Sequence, residues 1–139
     1  MKRSVLSMAL SGLLATAAFG VAGDANAMAV HVNGDRIFLS GDVTLADIMA
    51  LPAMLAKAEA EGRPFREVVL RTSNGGALIS GEWLQAVIRT AGLNTIVSGR
   101  CISSCSIMQS GGVERYMAGD LPTEVDSVQI HAASSGGRV

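Results

Sequence analysis

The chain has 139 residues, a formal net charge of −1 at pH 7 and 49% hydrophobic residues. A net charge this close to zero, without blocks of like charge, does not favour a nucleic-acid surface or a strongly charged partner. The length allows one small domain with an adequate hydrophobic core.

The N-terminal segment has the layout of a secretory signal peptide. A basic start, Lys2-Arg3, precedes a mostly apolar run over residues 5–22, and Ala25-Asn26-Ala27 is the small-x-small pattern of a cleavage site. An uncleaved membrane anchor is the alternative. We expect cleavage after Ala27, so that residues 1–27 are the signal peptide. Residues 28–139 are then the mature domain, periplasmic or secreted, with no later segment apolar enough to span a membrane.

A hairpin and a helix are predicted at the start of the mature domain. Two apolar runs flank Asn33-Gly34, which is a strong signal for a β-hairpin. Thr44 is typical of a helix N-cap, and apolar residues then recur at helical spacing as far as Ala60, with Pro52 inside the pattern. We expect the Met and Leu side chains of this helix to pack in the core.

The next segments alternate strands and helices. Residues 67–72 form an apolar strand that runs into the turn Ser73-Asn74-Gly75-Gly76, and a second amphipathic helix follows. Residues 94–97 form the next strand, and a third helix begins near Ser103. Two short strands are predicted over residues 114–117 and 127–130. This order predicts an α/β fold with parallel strands. The residues expected on the buried side of the second helix are Leu78, Ile79, Trp83, Leu84, Val87 and Ile88.

Three stretches with chemical potential fall at the carboxyl ends of predicted strands, where ligand sites of parallel sheets lie. They are the glycine turn at residues 73–76, the strand-to-helix turn at residues 99–106, and His131. A serine nucleophile (Ser103 or Ser104), a histidine base and backbone N–H donors are the components of acyl transfer. An N-cap serine, a plain glycine turn and a half-buried histidine are the structural alternative.

The order and spacing of these residues resemble a known family. Thr72 to Gly76, Gly81, Gly99-x-Cys101-x-Ser103-Ser104-Cys105 and Ile130-His131 are similar to the proteolytic subunit of Clp protease, and closest to its exported relatives with a Cys-x-Ser-Ala-Cys element. The resemblance implies a crotonase-like α/β fold of repeated ββα units with mostly parallel strands. Because the chain stops eight residues after His131, we expect that fold to be truncated at its C-terminus.

The resemblance also implies roles for individual residues. Ser103 matches the nucleophile and His131 the general base, while the N–H groups of Gly76 and Ser104 match the oxyanion hole. Ser104 stands where alanine or methionine is common, so Ser104 remains the alternative nucleophile. No Asp or Glu follows His131, whereas the acidic triad member of the family lies downstream of the histidine. Only a Ser–His dyad is therefore predicted.

Cys101 and Cys105 admit three interpretations. They form a disulfide that braces the turn, they are free buried thiols, or they bind a metal with His131 and a fourth ligand. Export to an oxidising compartment favours the disulfide, although closing a loop of this size contributes only about 2 kcal/mol on the chain-entropy model. We expect neither a metal nor a cofactor.

The function predicted from these features is that of an exported, ATP-independent serine hydrolase acting on peptide or protein substrates. Proteins that resemble this family often form rings, so assembly of several copies is part of the prediction. The first alternative is a non-catalytic periplasmic binding or assembly module that keeps the fold. A crotonase-type protein that binds an acyl thioester is a second alternative, but the sequence has no adenine-binding signal for it.

Overall fold

A single sheet runs through the part of the chain that the computed structural model describes, residues 27–119 and 127–130. In chain order the elements are β1 (Ala29–Asn33), β2 (Arg36–Ser40), α1 (Asp47–Ala60), β3 (Glu67–Ser73), α2 (Leu78–Thr90), β4 (Asn94–Ile102), α3 (Ser104–Ser110), β5 (Arg115–Met117) and β6 (Ser127–Gln129). The strand order in the sheet is β1-β2-β3-β4-β5, and β6 also pairs with β4. Only the β1–β2 pair is antiparallel. The predicted α/β class with a mostly parallel sheet is confirmed.

The predicted hairpin is present as β1 and β2. Asn33 pairs with Arg36, and Gly34 adopts the positive φ of 60° that a tight hairpin turn needs. The hairpin attaches to the parallel part of the sheet through β2, which pairs with β3 from Arg36 onward.

The strand that leads to the candidate nucleophile is longer than predicted. We predicted that it ends at Val97, but β4 continues to Ile102. The pairing with β3 shifts at this point: Arg71 faces Ser98, yet Ser73 faces Cys101, so β4 carries one extra residue. Gly99 has φ +96°, and a Cβ there would lie 2.4 Å from Thr72 Oγ1. The glycine that we took for the start of a turn is therefore part of a β-bulge inside the strand.

Two short strands pair with the same edge of β4, one with each half of the strand. Its first half, Thr95 to Val97, pairs with β5, and its second half, Arg100 to Ile102, pairs with β6. β3 occupies the other edge. β4 is therefore central along its whole length, and its end is enclosed between β3 and β6.

The core lies between this sheet and its covering helices. Leu84 and Ile88 of α2 are fully buried against apolar strand residues such as Leu70 and Val97. No helix among the described residues has the length and apolar character to cross a membrane.

Part of the predicted helical core is wrong. On α1, Met49 is 76% exposed, and Leu45 just before the helix is also exposed. On α2, Trp83 is 57% exposed, and Leu78 and Ile79 are exposed as well. Only one face of α1 and one face of α2 are buried. Within the described residues, no other element covers their exposed apolar side chains.

The start of α1 contains a buried carboxylate. The helix begins at Asp47, three residues after the predicted N-cap Thr44, and continues through Pro52. Asp47 Oδ2 accepts hydrogen bonds from the Thr44 N–H (2.7 Å) and Thr44 Oγ1 (3.1 Å). The N-cap of α1 is therefore Ala46 and not the predicted Thr44. The carboxylate instead closes the turn before the helix by satisfying the N–H of Thr44, as the acidic residue of a capping box does for its N-cap. Asp47 Oδ1 accepts a hydrogen bond from the Met28 N–H at 2.9 Å.

Candidate active site

Ser103 occupies a sharp turn between β4 and α3. Its φ of 57° and ψ of −121° make it a non-glycine residue with positive φ, and no other such residue occurs in the described chain. Its N–H donates to the Gln129 carbonyl at 2.8 Å, and its own carbonyl accepts the Ser106 N–H at 2.8 Å and the Ser106 hydroxyl. A conformation of this kind costs about 1–3 kcal/mol and persists only where its surroundings hold it.

The two adjacent serines differ in accessibility. Ser103 is half-buried, whereas Ser104 is fully buried as the first residue of α3. The Ser104 hydroxyl has no hydrogen-bond partner within the part of the chain that the structure describes. Ser103 is therefore the more accessible of the two serines.

The glycine turn after β3 is anchored by Val43. The Val43 N–H donates to the Gly75 carbonyl, and the Ala77 N–H donates to the Val43 carbonyl, both at 2.8 Å. The Gly75 N–H donates to Ser73 Oγ at 3.2 Å. Neither bond of the Val43 bridge uses the N–H of Gly76, and Gly76 is an exposed residue. Gly75 and Gly76 have φ of +94° and +146°, so the turn requires glycine.

This glycine turn lies directly against the Ser103 turn. A Cβ atom built on Gly75 would lie 2.7 Å from the Cβ of Ser103 and 3.3 Å from the backbone nitrogen of Ser104. The Ser104 N–H precedes the first intrahelical hydrogen bond of α3, so the helix itself does not satisfy it. The structure thus places the glycine turn, through Gly75, against Ser103 and Ser104, whereas the close neighbour of Gly76 is Val43.

Cys101 and Cys105 lie on either side of Ser103. Their sulfur atoms are joined at 2.05 Å, their Cα atoms are 5.2 Å apart, and both residues are fully buried. Of the three interpretations of this pair, the structure adopts the disulfide. Over residues 27–119 and 127–130, no three His, Cys, Asp or Glu side chains converge as a metal site would require.

His131, the predicted base, lies outside the described residues, as do Asp120, Glu124 and Asp126, the acidic residues that precede it. The strand that leads to His131 is described. β6 ends at Gln129, whose carbonyl accepts the Ser103 N–H. The last residues of β6 are therefore in contact with the Ser103 turn.

Two residues that shape the site were missed as site residues. Gly75 is the glycine that contacts Ser103, whereas the family resemblance assigned the functional role to Gly76. Val43 anchors the turn through a pairing across more than thirty residues, and no local sequence signal marks it. The consecutive glycines were the one available sign that this turn approaches another backbone closely.

No family model and no curated protein matches this chain. Among solved structures it is similar to a point mutant of ClpP1 from Listeria monocytogenes, with a TM-score of 0.51 and 12% sequence identity. The similarity covers 60% of this chain and 51% of the ClpP1 chain, so this chain matches about half of that protein. At this identity the similarity establishes a Clp-protease-like fold.

Proposed function

We propose that this protein is a serine hydrolase that cleaves peptide bonds, with Ser103 as its nucleophile. The observation that carries the proposal is the conformation of Ser103: a half-buried serine with a φ of 57° on a strand-to-helix turn. Strained non-glycine residues cluster at active sites, where the strain holds a reactive group in place. The Clp-protease-like fold supports the same class of reaction.

In the proposed mechanism, Ser103 Oγ attacks the carbonyl carbon of the scissile peptide bond. His131 accepts the hydroxyl proton and later transfers it to the leaving amine. The N–H groups of Gly76 and Ser104 donate hydrogen bonds to the developing oxyanion. Two observations support these donors: the Gly76 N–H is left out of the Val43 bridge, and the Ser104 nitrogen lies beside the glycine turn.

The burial of Ser104 supports Ser103 as the nucleophile. Both hydroxyls belong to the same turn, but the Ser104 hydroxyl is buried where α3 packs against α2. Gly81 of α2 approaches so closely that a Cβ there would lie 2.9 Å from the Ser104 Cβ. Ser104 therefore serves the mechanism through its backbone and its packing.

Labelling with a fluorophosphonate probe tests the proposal. The activated serine oxygen displaces fluoride and becomes covalently phosphonylated. We expect the full-length protein to be labelled, Ser103→Ala to lose the label, and Ser104→Ala, the matched control, to retain it. Labelling that persists in Ser103→Ala would contradict the assignment. A folded wild-type protein without any labelling would favour the non-catalytic binding module.

A second variant tests the base. Replacing His131 by alanine removes the proton acceptor, and general-base catalysis typically contributes a factor of about 10²–10⁴. We expect the labelling rate to decrease by a factor in that range, while the protein remains folded. His31→Ala is the control, because His31 lies on the exposed strand β1, where its ring contacts that of Phe38 in a tilted arrangement. Equal rates for the two variants would exclude His131 as the base.

We further propose that the protein acts after export and as an assembly of several copies. The signal-like N-terminus supports export. The exposed apolar side chains of Met49, Ile79 and Trp83 support assembly, because contact with a second copy would remove them from water. Sedimentation of the mature protein should give a mass above that of one chain, and Trp83→Glu should lower it. A monomer at micromolar concentration would contradict the assembly.

A further inference from the structure

The carboxylate of Asp47 is buried without a cationic partner. The residue is 5% exposed. Its oxygens accept hydrogen bonds from Thr44 and from the backbone nitrogen of Met28. Within the described ranges, no Lys, Arg or His forms an ion pair with it. Buried charges in proteins are normally paired, because removing a carboxylate from water is costly.

The Met28 nitrogen is also buried, and its position in the chain is special. Met28 is 4% exposed and belongs to the hydrophobic core. It directly follows Ala27, the residue after which we expect the signal peptide to be removed. Its nitrogen lies 2.9 Å from Asp47 Oδ1. Cleavage at that bond would therefore change the chemistry of the very atom that contacts the carboxylate.

We propose that removal of the signal peptide creates the counter-ion of Asp47, so that the mature N-terminus is held in the core by a buried ion pair. This inference rests on cleavage after Ala27 and is independent of the proposed hydrolase activity. In the hydrolysis, water adds across the Ala27–Met28 bond. Ala27 leaves with a carboxylate, and Met28 retains its nitrogen as an α-amine, which is protonated at neutral pH.

The new charge strengthens a contact that already exists. In the uncleaved chain the Met28 nitrogen donates one neutral hydrogen bond to Oδ1. An ammonium there donates a charge-assisted bond, which is shorter and about twice as strong. It joins the segment before β1 to the first turn of α1. Removal of the signal peptide would thus stabilise the contact between the N-terminal end of the hairpin and α1.

The precursor geometry allows a clean test of this charge effect. Ala27 is half-buried, and the structure accommodates it in front of Met28 with the hydrogen bond to Asp47 in place. An extension at this end therefore introduces no necessary clash. A difference between a chain that begins at Met28 and a chain extended at its N-terminus then reports the ammonium group.

Amine reactivity gives the first measurement, because a chain that begins at Met28 contains only two amines. They are the Met28 α-amine and the side chain of Lys57, which is 70% exposed and serves as the internal reference. The chain is released from a fusion by a protease that leaves Met28 first, pulsed with an acylating reagent and mapped by mass spectrometry. We expect Met28 to react at least about tenfold more slowly, relative to Lys57, than in Asp47→Asn, a factor equivalent to ~1.4 kcal/mol.

Equal relative reactivity of Met28 in the folded wild type and in Asp47→Asn would overturn the ion pair. N-terminal sequencing of the exported protein supplies a further check, and a first residue other than Met28 would overturn the proposal as well.

Denaturation gives a second measurement that does not depend on Asp47→Asn folding well. We expect the chain that begins at Met28 to have a higher urea midpoint than the same chain preceded by Ala25-Asn26-Ala27. In Asp47→Asn the extension should have no effect, whereas in Glu59→Gln, an exposed position on the same helix, the wild-type difference should persist. An unchanged midpoint on extending the wild-type chain would contradict the proposal.

Discussion

Gly75 packs directly against the Cβ of Ser103. A Cβ atom at Gly75 would lie 2.7 Å from the Cβ of Ser103 and equally close to the carbonyl oxygen of Ile102. Protein Cβ atoms do not approach other atoms to this distance, so a residue other than glycine would have to displace the Ser103 turn. The spacing between the candidate nucleophile and the candidate oxyanion donors is therefore set by the absence of a side chain.

Gly75→Ala should damage both stability and labelling. Its positive φ and the overlap with Ser103 together predict a loss of about 2–4 kcal/mol in the free energy of unfolding. Gly34→Ala is the matched control, because Gly34 also has positive φ but has no atom within 4 Å of the added carbon. We expect it to cost only the strain, about 1–2 kcal/mol, and to leave fluorophosphonate labelling unchanged. Similar effects of the two substitutions on labelling would show that the contact is unimportant.

Ser103→Gly should abolish labelling and yet stabilise the fold relative to Ser103→Ala. Glycine relieves the strain of positive φ but gains freedom in the unfolded chain, and the two effects leave a net gain of about 1 kcal/mol. Urea denaturation of the two variants measures the difference. Ala86→Gly, on the exposed side of α2, is the control, because glycine relieves no strain there. It should lower the free energy of unfolding by about 1 kcal/mol. If Ser103→Gly is no more stable than Ser103→Ala, the turn is not strained.

Gly81→Ala should loosen the contact between α2 and α3. The added carbon would lie 2.8 Å from the Ser104 carbonyl oxygen and 3.1 Å from its Cα. Overpacking of this kind typically costs about 1–3 kcal/mol, and it outweighs the better helix propensity of alanine. Thr90→Ala, an exposed position on the same helix, gains propensity without a clash and should be neutral or slightly stabilising. A stabilised Gly81→Ala protein would mean that the two helices separate easily.

The cysteine pair should resist reduction in the native state. Both cysteines are fully buried, so a dissolved thiol cannot reach the sulfur atoms until the turn opens. We expect alkylation after treatment with dithiothreitol to label neither cysteine in the folded protein and both cysteines in urea. The unreduced protein should also weigh two hydrogens less than the reduced one. Rapid double alkylation without denaturant would show that the turn opens readily or that the pair is unbonded.

Local sequence signals predicted the elements that depend on local chemistry. Asn33-Gly34 indicated the hairpin, because the turn between Asn33 and Arg36 needs a positive φ at Gly34, which glycine adopts readily. The prediction ended β4 too early, because a glycine with positive φ is found both in the turn after a strand and in a bulge within a strand. Gly99 by itself does not distinguish the two. The deciding factor is Thr72, which packs over Gly99 from the neighbouring strand. That contact has no signature in sequence spacing.

The candidate site was predictable in its residues but not in its geometry. Ser103 and the glycine pair stand out in the sequence, whereas the contact between Gly75 and Ser103 depends on the parallel pairing of β3 and β4. Periodicity also identified the apolar residues of both helices, including Met49 on α1 and Trp83 on α2, but it cannot show which of them another layer covers. For both side chains, no layer in the described chain does so.

Because Cys101 and Cys105 are buried, their oxidation state depends on whether an oxidant acts before the chain folds. Since the folded protein shields both sulfur atoms, an oxidant must act while the chain is still open. A chain that folds in a reducing compartment would then enclose two thiols and keep them after transfer to air. The oxidation state of this pair in a purified sample is therefore a record of the compartment in which that sample folded.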